Sequence, residues 1–129
     1  MRAAANNLVA AFARHDRAQY FASFAPTATF VFYNSEKVFN SRDKYESEWE
    51  KWESTGFKVL SCKSTSAEVQ LVSDEIAIFT HQVRTTLHTT DGEIEVGERE
   101  SIVFQLLSGQ WLAIHEHLSS DPNFLPEVP

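Results

Sequence analysis

The chain has 129 residues, 43% of them apolar and 22% charged, enough for one domain with a real core and too few for two. Its formal charge of −7 argues against nucleic acid or an anionic membrane as a partner. The lone Cys62 excludes an internal disulfide, and no apolar run is long enough to span a bilayer. Asn6, Asn7 and Arg14 interrupt any signal-peptide core in the alanine-rich start, so a soluble, cytoplasmic protein is expected.

Residues 3–14 place Ala5, Leu8, Val9 and Phe12 at helical spacing, which predicts a first amphipathic helix. Asp16, with Gln19 three residues on, predicts the cap of a second helix carrying Tyr20, Phe21 and Phe24 and ended by Pro26. Residues 29–33 are β-branched and aromatic and read as a strand, with a short return at Val38 and Phe39. Ser41 caps a third helix to about Thr55, with Tyr45, Trp49 and Trp52 on one side and Gly56 as its stop. From Phe57 onward the pattern is strand: 57–65, 67–72, 76–88, 93–107 and 110–119. Asp91-Gly92 and Ser108-Gly109 read as two-residue hairpin loops. Helices followed by a long meander predict an α+β fold in a single domain, 1–129, with residues 120–129, which contain Pro122, Pro126 and Pro129, as a tail either extended, as when lying on a neighbour, or disordered.

The final strand carries the chemistry. Trp111, Ala113, His115 and His117 alternate with Leu112, Ile114, Glu116 and Leu118, so each set points to one face. With both loops two residues long, Ile102 opposes His115 and Glu100 opposes His117, while Val83 opposes Glu100 and His81 opposes Ile102. One greasy face then gathers Glu100, His81, His115 and His117. The other mixes Arg84, Arg99 and Glu116 with aliphatics and suits burial against a second subunit. A one-residue bulge would exchange these faces beyond it.

Three stretches resemble one family: Asp16-x-x-x-Tyr20, Pro26-Thr27-x-Thr29-Phe30, and Gly109-x-Trp111-x-x-x-His115-x-His117-x-Ser119. They are similar to the SnoaL-like branch of the nuclear-transport-factor-2-like superfamily, and nearest to the association domain of calcium/calmodulin-dependent protein kinase II. Trp52 and the Arg84-x-Thr86 pair fit that domain too, and the resemblance covers about residues 8–119. It implies a cystatin-like cone, a strongly curved antiparallel sheet wrapped around three helices with an internal pocket, paired sheet to sheet as a homodimer. Carried over by position, it implies Tyr20, Trp52, Arg84 and His117 as pocket residues. Ile102 and Leu118 stand where the kinase domain has basic residues, which weakens a pocket for anions.

The residues and the resemblance together give two expectations. One is a small-molecule-binding protein without a cofactor, possessing if catalytic an isomerase, cyclase or dehydratase activity on a hydrophobic carbonyl compound. In it His117 is the base, Glu100 orients it, and Tyr20 or Arg84 stabilises negative charge. Arg84, Trp52, His81, His115 and Trp111 then contact a hydrophobic or carboxylate-bearing ligand. The other is a non-catalytic oligomerisation module. Against the catalytic pair stands a plain structural His117–Glu100 hydrogen bond. A metal held by His81, His115, His117 and Glu100 has suitable ligand types but no familiar spacing, and no metal is expected.

Overall fold

The computed structural model describes residues 1–124. Its elements, in order, are α1 (Arg2–Ala13), α2 (Arg17–Ala22), β1 (Phe24–Phe32), α3 (Arg42–Ser54), β2 (Lys58–Leu71), β3 (Ile76–Thr89), β4 (Gly92–Leu107) and β5 (Gln110–Ser120). The caps are those the sequence predicts. Asp16 accepts from the Gln19 N–H at the start of α2, and Ser41 accepts from the Lys44 N–H at the start of α3. Gly56 follows α3 with φ +103°, where a side chain would be strained. The second helix is shorter than expected. It ends at Ala22, and Pro26 sits inside β1, an edge strand whose pairing is irregular between Phe24 and Thr29 and so tolerates a missing N–H.

The five strands form one sheet in the order β1-β5-β4-β3-β2. β1 runs parallel to β5, and the other neighbours are antiparallel. The helices cover the inner face. Leu8 and Ala11 of α1, Tyr20 and Phe21 of α2, and Tyr45 and Trp49 of α3 meet Phe30, Phe79, Ile102, Phe104 and Ala113 of the sheet in one buried cluster. Outside this core the helices are tied by charge: Arg17 of α2 bonds Glu46, Glu50 and Glu53 of α3. His15 bridges Glu53 at 2.7 Å and accepts the Val59 N–H at 2.9 Å, which joins α3 to β2.

Two details of register decide what reaches the interior. The β3–β4 loop is Thr90-Asp91, because Thr89 pairs with Gly92 and its hydroxyl closes the turn by donating to the Gly92 carbonyl. His81 therefore opposes Glu100 and Val83 opposes Glu98, two places from the expected register. A shift of two keeps every side chain on its face. In β5 the Ser108-Gly109 turn is as expected, with φ +51° and +80°, and Phe104 opposes Ala113. Then Val103 opposes His115, so Ile114 is an extra residue and β5 is bulged. Beyond it the faces exchange: Glu116 opposes Ile102 and points inward, whereas His117 opposes Ser101 and points outward.

The tail begins by folding back on its own sheet. The Asp121 N–H donates to the Gly97 carbonyl, and Phe124 covers Gly97 so closely that a Cβ there would lie 2.3 Å from the ring. Arg84 stacks its guanidinium over Phe124 at 5.3 Å. Pro126 and Pro129 of the expected extended tail lie outside the described residues.

Candidate active site

A cavity of about 180 Å³ lies between the helices and the sheet. Phe12 of α1, Trp49 and Trp52 of α3, and Phe57, Val83 and Leu87 give it apolar walls, and the exposed Tyr33 and Ile94 also line it. The polar groups cluster on the sheet: Glu98 and Glu100 of β4, Glu116 of β5 and His81 of β3, with the hydroxyls of Tyr20 and Tyr45 above them. Among the described residues no Lys or Arg lines this cavity.

The cluster is a continuous hydrogen-bonded chain. Tyr20 donates to Glu116 at 3.2 Å. Since Tyr20 has one proton to give, the Tyr45 hydroxyl donates to Tyr20 at 2.9 Å. Glu116 in turn hydrogen-bonds Glu100, which takes His81 Nε2 at 2.7 Å. His81 Nδ1 ends the chain on Ser64 at 2.6 Å. Glu98 stands apart and accepts from Tyr33 at 2.8 Å.

Two carboxyl groups this close cannot both be ionised in an apolar site. Burial raises the Glu116 carboxyl well above its usual range, and the neighbouring Glu100 charge adds to the rise. Burial would raise Glu100 as well, but its hydrogen bonds from His81 and Glu116 outweigh that and hold it below the usual range. Glu116 is therefore the protonated member and Glu100 the ionised one. Burial also lifts Tyr20, Tyr45 and Glu98, and it pushes the Cys62 thiol up to about 11, which leaves that thiol inert.

A pH dependence follows from Glu116. A folded-state pKa above the unfolded value contributes stability that is complete below the unfolded value and is lost as pH rises through the folded one. Each unit of elevation corresponds to about 1.4 kcal/mol. Wild-type stability should thus decline from mildly acidic toward alkaline pH, and Glu116→Gln should flatten that decline. Urea midpoints across about pH 5–9 would show it.

The expected site residues divide across the sheet. Tyr20, Trp52, His81 and Glu100 line the cavity. His117 is the largest correction: the bulge at Ile114 puts it on the outer face, exposed, where it cannot meet Glu100. His115 is turned outward by the same bulge and bonds Thr29 at 2.7 Å; burial and the neighbouring His117 lower its pKa. Arg84 is exposed beneath Phe124, and Trp111 packs beside the core without lining the cavity. The His81, His115, His117 and Glu100 set is thereby split between two faces, and among the described residues no group of three or more His, Cys, Asp or Glu is arranged to hold a metal. Sequence reasoning missed Glu116, Tyr45 and Ser64. Tyr45 was recognisable as a core aromatic, but only its contact with Tyr20 gives the hydroxyl a role.

A curved sheet closed by helices over an apolar cavity with a polar cluster defines the cystatin-like, nuclear-transport-factor-2-like class. The chain belongs to the SnoaL-like domain family, whose model matches residues 1–122. Among solved structures it is similar to a ketosteroid isomerase-like protein of Erwinia carotovora atroseptica, at TM-score 0.78 and 17% identity over 92% of each chain. It is also similar to a candidate calcium/calmodulin dependent protein kinase II association domain of Xanthomonas campestris, at TM-score 0.76 and 23% identity over 92% of this chain and 84% of that one. A third is a cystatin-like protein of Caulobacter vibrioides, at TM-score 0.75 and 16% identity over 95% and 87%. The search of curated proteins returned no match. No helix among the described residues is long and apolar enough to cross a membrane.

Proposed function

We propose that the cavity binds a small, neutral, hydrophobic carbonyl compound and moves a proton on it without a cofactor, as an isomerase, cyclase or dehydratase would. The observation that carries this reading is a pair of carboxyl groups, Glu100 and Glu116, in one apolar cavity with different hydrogen-bond partners, His81 for one and Tyr20 for the other. Glu100, ionised, takes a proton from the carbon beside the carbonyl. Glu116, protonated and backed by Tyr20 and Tyr45, turns its hydrogen bond from Glu100 to the substrate oxygen as negative charge develops there. Glu100 then returns the proton to the product carbon. The absence of Lys and Arg from the lining among the described residues, with Arg84 outside, supports a neutral ligand over a carboxylate-bearing one.

The test uses 3-cyclohexenone, whose isomerisation to the conjugated 2-cyclohexenone needs one abstraction and one return and is followed by ultraviolet absorbance. Turnover above the rate in buffer plus acetate supports the reading; a rate equal to it counts against it. The second reading is a non-catalytic assembly module, favoured by the fold match to the kinase association domain. It requires oligomers larger than a dimer and no turnover. In either case the outer sheet face, with Ile78 and Val103 among Arg99, Gln82 and His117, is the proposed homodimer surface, and sedimentation measures the assembly.

A further inference from the structure

The opposed shifts of Glu100 and Glu116 leave one proton to be placed between them. They lie on adjacent strands and line the same apolar cavity with Tyr20, Tyr45 and Glu98. They differ in their hydrogen-bond partners. Glu116 has the Tyr20 hydroxyl at 3.2 Å, and Glu100 has an imidazole at 2.7 Å.

We propose that His81 is the positioning residue that keeps the proton off Glu100, and so decides which carboxyl of the pair is base and which is acid. The inference deepens the proton-transfer reading and rests on it only for the use to which the two carboxyls are put. His81 is suited to this by its fixity. Its side chain is 1% exposed, so it has no water to exchange partners with, and each ring nitrogen is occupied. The Ser64 hydroxyl, exposed on β2, donates to Nδ1 and leaves the ring proton on Nε2, aimed at Glu100. A neutral donor at this distance already favours the carboxylate, and a protonated ring favours it more.

Behind the pair, on the far side of the sheet, Glu68, Arg99, Ser101 and His117 line a polar groove. Among the described residues Glu100 forms its ion pair with His81 and with neither Arg99 nor His117. The selection therefore falls to one residue. Sequence reading had the roles reversed, with a glutamate orienting a histidine. In the structure a histidine orients a glutamate.

The test is a titration of the ligand-free protein by NMR, with carbon-13 on the glutamate carboxyls and nitrogen-15 on the imidazoles. In the wild type Glu100 should ionise before Glu116, and the Nε2 of His81 should carry a proton hydrogen-bonded to Glu100. His81→Phe should raise the Glu100 midpoint by about one unit or more and close the gap to Glu116. His81→Gln, whose amide keeps a donor near the Nε2 position, should hold the midpoint near wild type. Ser64→Ala, at an exposed site where folding is not at stake, should release the fixed tautomer and shift both ring nitrogen signals. An unchanged Glu100 midpoint in His81→Phe overturns the proposal, and so does a wild-type ring whose Nε2 carries no proton. Because no substrate is involved, a protein that fails to isomerise 3-cyclohexenone could still pass this titration, and the two readings fail separately.

Discussion

Glu100→Gln should lower the isomerisation of 3-cyclohexenone by about 10²–10⁴-fold, the usual worth of a positioned general base. Glutamine keeps the shape and an oxygen for His81, so the fold and the cavity should survive. The loss should fall on kcat with KM little changed, because the removed group acts in the transition state more than in binding. Glu116→Gln should cost about 10²-fold, since the amide still offers a hydrogen bond to the oxygen but a weaker one. His117→Ala should leave the rate and the fold as they are, because His117 is exposed on the opposite face of the sheet. If His117→Ala abolished turnover and Glu100→Gln did not, the site would have been placed on the wrong side of the sheet.

Trp49→Ala should destabilise the protein by about 3–5 kcal/mol, among the largest effects of any single truncation. Trp49 is 1% exposed and is the largest fully buried side chain. Its indole sits among the rings of Phe12, Tyr20, Phe21, Tyr45 and Phe57 at 5.0–6.2 Å between centroids. Its N–H meets no partner at good hydrogen-bond geometry among the described residues, though it lies near enough to Glu53 to help lower that carboxyl, so the loss is chiefly one of packing. It also walls the cavity, and truncation should enlarge that space and loosen Tyr20 and Tyr45 above the carboxyl pair. Urea unfolding of the variant measures the change; a loss under about 1 kcal/mol would mean that the aromatic cluster relaxes to fill the gap.

Much of the fold was legible because its determinants are local. Asp16 and Ser41 are capping residues that satisfy the N–H groups next to them, and Gly56 stops α3 for reasons of its own φ. Period-two alternation put Phe79, His81, Glu100, Ile102 and Ala113 on the inner face, where they are. The candidate site was half legible for the same reason. A hairpin loop misplaced by one residue moved His81 from Ile102 to Glu100, yet an even shift leaves the faces alone. A bulge is an odd shift. At Ile114 it turned His115 and His117 out and Glu116 in, and nothing in the run Ala113-Ile114-His115 marks it, since β5 is set by pairing with both β4 and β1. The roles then followed the geometry. A histidine that seemed to be the base is on the surface, and a glutamate that seemed to face the partner subunit holds the acidic proton.

The most direct measurement is the infrared spectrum of the wild-type protein at neutral pH, set against that of Glu116→Gln. A protonated carboxyl has a carbonyl stretch of its own, away from ionised carboxylates, and it moves when the proton is replaced by deuterium. The wild type should show one such band sensitive to deuterium, and Glu116→Gln should lack it. A wild-type spectrum without that band at pH ~7, where an ordinary glutamate is fully ionised, would mean that no carboxyl in the cavity holds a proton, and the acid–base pairing of Glu116 with Glu100 would fall.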